Sequence, residues 1–298
     1  MCLSQPKTIP VRELWDGLVP RQFEDGSFVI LRGFIDESYD GTAIPEVFTL
    51  SCIVSWGSEW TWIEMAWKKV LDDKNASLIA EGRRPLSRYH ATDCNARENE
   101  FKGWTRDERD EFVLKLFKVF PFHDTSHIAM SLSVRELLEI WGGDVKDPMS
   151  LAYDLLLVLI MNEIGITMEQ ENFKSKIALI YERSDYGPVM LDTFIRLMDR
   201  DDTFRFRDIF TTIAPMGWED CVPLQLADLV AFESFTNARR MRDEQPKGMR
   251  KSLEALLSMD SVGARSKGVS RKALASLKAM VDARVSRLKQ EGKDPLKR

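Results

Sequence analysis

Residues 27–38 read Ser-Phe-Val-Ile-Leu-Arg-Gly-Phe-Ile-Asp-Glu-Ser. Through Ile35 the run is dominated by β-branched and aromatic side chains, which fit a pleated, half-buried surface. Asp36 then ends it with a charge. A polar, Gly-containing stretch follows to Pro45, and Val47–Ser55 is strand-like again. Two such runs around a turn-forming segment predict a long antiparallel hairpin.

Working outward, residues 58–73 and 105–118 have helical character and are separated by a charged loop through Arg83, Arg84, His90 and Asp93. His127–Val134 reads as a third strand. Pro148–Asn162 reads as a helix with Pro148 in its first turn, where a missing N–H costs nothing. Lys176–Tyr181 (KIALIY) has the continuous apolar character of a central strand buried on both faces. Ser184 and Asp185 are suited to cap a helix through Met198. Phe204–Ile213 is a fifth strand candidate, and Pro223 opens a helix to about Arg242. Beyond it the chain reads as mostly helical and basic.

This order predicts an α/β fold: a mixed sheet with three antiparallel and then two parallel strands, flanked by helices. A ribonuclease H-like core requires that order. The expected organisation is a domain over residues 1–242 with a helical insertion at about 56–125. A basic helical C-terminal extension over 243–298 completes it.

Of the 298 residues, 44% are hydrophobic and 30% charged, which excludes whole-chain disorder. The longest apolar run, Leu151–Met161, is short and contains Asp154, so it reads as a buried helix and no membrane association is expected. The N-terminus lacks the basic start and apolar stretch of a secretion signal. Cys2, Cys52, Cys94 and Cys221 form no CxxC pair, which argues against a zinc or disulfide framework. A reducing cytoplasm is the expected location. The net charge of -5 is unevenly spread: residues 239–298 carry 17 Lys and Arg against 7 Asp and Glu, and the first 238 carry 25 against 40. A basic tail on an acidic body suits a phosphate backbone, and equally a solvated surface helix.

Three acids stand where charge is inconvenient. Asp36 ends the first strand, Glu182 ends KIALIY, and Asp228 lies inside the apolar helical run Leu224-Gln-Leu-Ala-Asp-Leu-Val-Ala-Phe232. An unpaired carboxylate there costs several kcal/mol, so a cation, a hydrogen-bond network or a shifted pKa must compensate. Neighbouring strand ends would bring Asp36 and Glu182 to one sheet edge, and a helix across the sheet would add Asp228. Hard oxygen ligands favour Mg2+ or Mn2+, and two such ions about 3.5–4 Å apart can drive phosphodiester cleavage. Any one acid alone reads more readily as a cap or an ion-pair partner than as a ligand; it is the three together, in this order, that point to a site. Glu37, adjacent to Asp36, points to the other face of a strand and is the second choice for the site. Asp185 is the reserve for Glu182. Gln225 shares a helix face with Asp228, three residues on, as a ligand-binding or orienting amide or as a satisfied buried one.

Phe34-Ile-Asp-Glu-Ser38 followed by Leu224-Gln-Leu-Ala-Asp-Leu229 resembles the bacterial domain of unknown function 3800 family over roughly residues 27–240. Members open with an aromatic-Ile-Asp-Glu-Ser-Gly signature and carry a late Leu-Gln-x-Ala-Asp helix. The resemblance implies a ribonuclease H-like fold and a metal-dependent nuclease site, without a substrate. It aligns the first family acid with Asp36, with Glu37 beside it, and the last with Asp228, with Gln225 before it. The family histidine falls on His90 in Tyr-His-Ala-Thr-Asp93. Tyr39 replaces the usual Gly, and Glu182 stands where Asp is common, with a longer arm.

His90 could protonate a leaving oxygen, hold a phosphate or bind metal; His123 and His127 flank a strand start without metal spacing to it. Trp56, Trp60, Trp62 and Trp67 read first as packing for the insertion and second as stacking surfaces for bases. Arg83, Arg84 and Arg88 could steer phosphate or simply be solvated. Cys2 lacks the surroundings of an N-terminal nucleophile, and no Gly-rich phosphate loop or G-x-S-x-G elbow is present. The expectation is a Mg2+- or Mn2+-dependent phosphodiesterase acting on nucleic acid, with Asp36, Glu182 and Asp228 on the metal and Glu37, Gln225 and His90 assisting. The alternative is a non-catalytic module of the same fold that binds nucleic acid or protein.

Overall fold

The computed structural model describes residues 30–120, 125–142, 145–200, 203–219, 221–242, 250, 252–254 and 263–292. Cys2 and His123 lie outside them. Strand β1 (Ile30–Tyr39) pairs antiparallel with β2 (Phe48–Trp56), and β2 pairs antiparallel with β3 (Ser126–Leu132). Between β2 and β3 the chain makes helices α1 (Gly57–Ala80), α2 (Ala91–Ala96) and α3 (Arg106–Phe117). This is the predicted helical insertion. Then follow α4 (Val134–Trp141), α5 (Pro148–Gln170), β4 (Lys176–Glu182), α6 (Gly187–Ile195), β5 (Phe210–Met216) and α7 (Val222–Arg242). β4 pairs parallel with β1, and β5 parallel with β4. The sheet order is β5-β4-β1-β2-β3-β6, which puts β1 in the interior.

Local chemistry explains the helix starts. The Thr105 hydroxyl accepts the Glu108 N–H at 3.1 Å, and Asp147 accepts the N–H groups of Met149 and Ser150 ahead of α5, whose first residue is Pro148. Ser184 and Asp185 do not cap α6 with their side chains. That helix starts after Tyr186, and the Ser184 carbonyl closes the turn by accepting the Gly187 N–H. The sixth strand, β6 (Gly263–Gly268, GARSKG), lies parallel to β3 within the region expected to be helical tail. Its sequence has no apolar alternation because it is an edge strand, where charged side chains such as Arg265 and Lys267 are tolerated. Helix α8 (Arg271–Gln290) follows, capped by Ser270, with Leu274 as its buried residue.

Alternation along β1 splits the core in two. Phe34 belongs to a cluster that packs the sheet against α1, α3 and α7; Ile35 belongs to one that packs it against α5 and α6. Trp60 and Trp67 are fully buried in the first cluster, Trp56 packs edge-on against Phe173, and Trp62 is about half exposed. So the insertion is held by its tryptophans. Gly33 is required by close packing: a Cβ there would come within 2.7 Å of the Leu179 side chain and 3.0 Å of Cys52 Sγ. Helix α5 is by length and composition able to cross a membrane, yet it lies along the sheet with half of its most apolar window buried.

His127, fully buried on β3, has neither ring nitrogen hydrogen-bonded among the described residues. Burial pushes its pKa down to about 4. The folded state therefore holds it neutral, while the unfolded chain takes up a proton below about pH 6.5. Stability is lost from there downward and the loss saturates below the folded pKa. His127→Leu is expected to recover up to about 3 kcal/mol at about pH 4 relative to wild type, as read from urea melts across pH; an unchanged acid limb would mean that the histidine is hydrated.

Candidate active site

The register of β1 and β4 sets Phe34 beside Ile180 and Ile35 beside Tyr181. One further step brings Asp36 beside Glu182, both on the face that carries Phe34 and Ile180, at the carboxyl ends of two parallel strands. Helix α7 crosses that face, and the Ser51 hydroxyl, opposite Asp36 on β2, donates to the Ala227 carbonyl. Asp228 follows immediately. Strand pairing and one helix crossing thus gather acids separated by up to 192 positions in the chain.

The three acids lie within electrostatic reach of one another. Asp36 is 5% exposed. Burial raises its pKa well above the carboxylate range, and the charges of Glu37, Asp228 and Glu182 push it the same way. The N–H of Glu37 on its Oδ1, at 2.8 Å, opposes this. Glu182 is raised by burial and by Asp228, with Arg88 and His90 working against the shift. Asp228 is raised by burial and drawn back by His90, by the Ala91 N–H and by Arg88. Among the described residues no group of three or more His, Cys, Asp or Glu side chains is arranged closely enough to hold a metal ion. Glu37 points to the opposite face, as the alternation predicts, with the Tyr153 hydroxyl as its polar neighbour. It still feels Glu182 and Asp228, and burial pushes it up to about 7.

The charged loop of the insertion is fastened over this site by two main-chain donors. The Tyr89 N–H reaches Gln225 Oε1 at 2.9 Å, and the Ala91 N–H reaches Asp228 Oδ2 at 2.8 Å. Trp67 Nε1 also donates to Gln225 Oε1, at 3.1 Å. The Gln225 carbonyl is therefore fully used: it positions the loop. His90, between the two fastened residues, acts electrostatically on Glu182 and Asp228. Its Nδ1 lies 3.0 Å from Asp93 Oδ2, close in distance but outside hydrogen-bond alignment. Of the three loop arginines, Arg83 pairs with Glu81 and Glu108, and Arg84 lies 3.5 Å from Glu100. Of the three, only Arg88 draws down the raised pKa values of Glu182 and Asp228, and its guanidinium lies 3.8 Å from the centre of the Trp218 ring. Trp218 gave no sequence signal, since it stands in a loop far along the chain. Asp185 is exposed and outside the group. His127 lies apart in the core.

Two outcomes test this geometry. Gln225→Ala leaves two buried N–H donors without an acceptor, so a loss of roughly 2–4 kcal/mol is expected in denaturant melts; a loss near zero would mean that the loop is not held there. For Glu37, the folded pKa is raised, so its ionisation destabilises the fold above about 7 and this penalty is relieved as pH falls through that value toward the ordinary carboxylate range. With chelator present, wild type minus Glu37→Gln stability should rise as pH is lowered from about 8 to about 5; a flat difference would place the carboxylate in solvent.

The chain matches no family model, no curated protein and no solved structure, so the site's own chemistry bears on what it does.

Proposed function

We propose that the protein is a metal-dependent phosphodiester hydrolase acting on nucleic acid, built on a ribonuclease H-like core. The observation that carries this reading is the crowded carboxyl group of Asp36: almost fully buried, it shares its face with Glu182 and Asp228, has Glu37 adjacent in the chain, and is relieved by a single N–H. Folded proteins do not gather like charges in a dry place without a role for them. The strand order with β1 between antiparallel β2 and parallel β4 supports the ribonuclease H-like reading.

The all-oxygen donor set suits Mg2+ or Mn2+, held by Asp36, Glu182 and Asp228. Bound there, the metal would activate water and stabilise charge on the phosphate and the leaving oxygen. The chain's own groups do the rest. The Ala91 N–H fixes one Asp228 oxygen and leaves the other to a ligand. Arg88, braced on Trp218, is placed to orient a phosphate oxygen. His90, with Asp93 Oδ2 3.0 Å from its Nδ1, is the loop side chain suited to exchange a proton with the leaving oxygen.

The alternative is a nucleic-acid-binding or protein-binding module without turnover. The longer arm of Glu182 and its partial exposure favour it over a tightly closed site.

The two readings separate on turnover, with a stability gain in the same variant showing that the fold is intact. Asp36→Asn removes a repelling charge, so in chelator it should raise the thermal midpoint, while cleavage of labelled DNA or RNA with Mn2+ should fall at least about a hundredfold, or roughly 3 kcal/mol. Calorimetric Mn2+ binding should vanish in Asp36→Asn with Asp228→Asn. Wild-type-like cleavage in Asp36→Asn would end the assignment; ion binding without turnover on any substrate would favour the module.

A further inference from the structure

The carboxylate group repels the substrate proposed for it. A polyanion approaching Asp36, Glu182 and Asp228 needs positive charge alongside them, and Arg88 supplies only one.

Beside the acids lies a groove of about 900 Å3. It reaches Tyr39, three residues beyond Asp36, and Thr92, next to the Ala91 whose N–H holds Asp228. Five arginines line it: Arg106 and Arg109 from α3, Arg239 and Arg240 from the last turns of α7, and Arg250. Two acids line it as well, Asp40 and Asp110. Asp110 is taken by Arg109, at 2.6 Å and 2.9 Å, and the Asp40 carboxylate accepts from the Thr42 N–H and hydroxyl. Arg250 is fixed by the buried Glu233 at 3.3 Å. Among the described residues, neither Arg106 nor Arg239 has a carboxylate within ion-pair distance; Arg239 lies over the Phe235 ring. The groove thus has a net excess of cation, with two guanidinium groups unspent.

The direction of the groove follows from α7. Asp228, Phe232, Phe235, Thr236 and Arg239 recur at helical spacing on one face, and all but Asp228 line the groove. From Asp228 to Arg239 the helix rises about 16 Å, the span of roughly five phosphates of one strand.

We propose that this groove is the binding track for the phosphodiester backbone of a nucleic-acid strand, leading it from the arginines onto the carboxylate group. The choice of nucleic acid rests on the phosphodiesterase reading; the track itself rests on the charge and shape of the groove. Guanidinium forks match phosphate oxygens bidentately, and the buried Phe232 and Phe235 make a firm floor that fixes α7 rather than a base-stacking surface. The basic strand and helix after residue 262 have a different use for part of their charge: Arg265 and Lys267 pair with Glu163, and Arg271 pairs with Glu139.

The test is anisotropy of a labelled single-stranded oligonucleotide with the full chain, in EDTA so that no cleavage occurs, across a salt series. Arg106→Glu with Arg239→Glu should weaken binding about tenfold or more and lower the slope of log K against log salt by roughly 1–2. Lys272→Glu with Arg287→Glu on α8 changes net charge equally and should leave the dissociation constant within about twofold. Arg106→Lys with Arg239→Lys keeps the charge and should retain most of the affinity, which guards against misfolding as the cause. The track is overturned if the groove variant binds like wild type, if the α8 variant is weakened as much, if wild type binds no oligonucleotide, or if polyglutamate of equal charge competes equally well. Each of these leaves the effect of Asp36→Asn on metal binding untouched, so a failed track and a failed active site are told apart.

Discussion

The structure depends on a buried carboxyl group, Asp36, crowded by other acids on its interior strand. Asp36 sits in the middle of the sheet with other carboxylates around it and one main-chain N–H on its oxygen. Holding it there costs stability that two apolar clusters, one on each face, must offset. β1 is suited to that load: it is paired on both edges, and Gly33 lets the strand and its neighbours approach closely. A position this rigid can hold charge in place without letting it relax into solvent, which is the condition for preorganised electrostatics.

Helix α7 joins fold and chemistry. Leu224, Ala227 and Val230 pack it onto the sheet and the insertion. The same helix carries Gln225, which fastens the charged loop; Asp228, which joins the acids; Glu233, which holds Arg250; and Arg239, which closes the groove wall. The insertion is correspondingly more than decoration. Trp67 and the N–H groups of Tyr89 and Ala91 tie it to α7 at the two residues that matter, so the insertion and the acid group are assembled together.

Charge is laid out by function along the chain. Asp36, Glu182 and Asp228 act on one another, Arg88 acts on Glu182 and Asp228, and the arginine groove is lined by Tyr39 and Thr92, close in the chain to Asp36 and Ala91. The tail divides. Arg239, Arg240 and Arg250 face the groove, while Arg265 and Lys267 of β6 pair with Glu163 and Arg271, the first residue of α8, pairs with Glu139. Net charge by region could not reveal that split, because it counts charges without saying which face they are on.

The sequence by itself determined the elements whose side chains repeat with a clear period or end on a clear signal. The Ser-Phe-Val-Ile-Leu-Arg-Gly-Phe-Ile run, KIALIY, the Pro148 helix and the α7 pattern were all legible, and so was the oddity of Asp36, Glu182 and Asp228 in apolar company. Strand alternation even put Asp36 and Glu37 on opposite faces, which the register bears out. Three things were decided only by tertiary structure. β6 is a strand because β3 offers it an unpaired edge, since its own residues have no apolar face to bury. Gln225 is a positioning residue because Trp67 and Tyr89, far away in sequence, need its carbonyl. The arginine groove exists because α3, the end of α7 and Arg250 meet there. Periodicity is a local property that the chain carries in its order of residues. Pairing between distant charges and edges is set by how the layers pack, and that information appears only when the sheet and its helices come together.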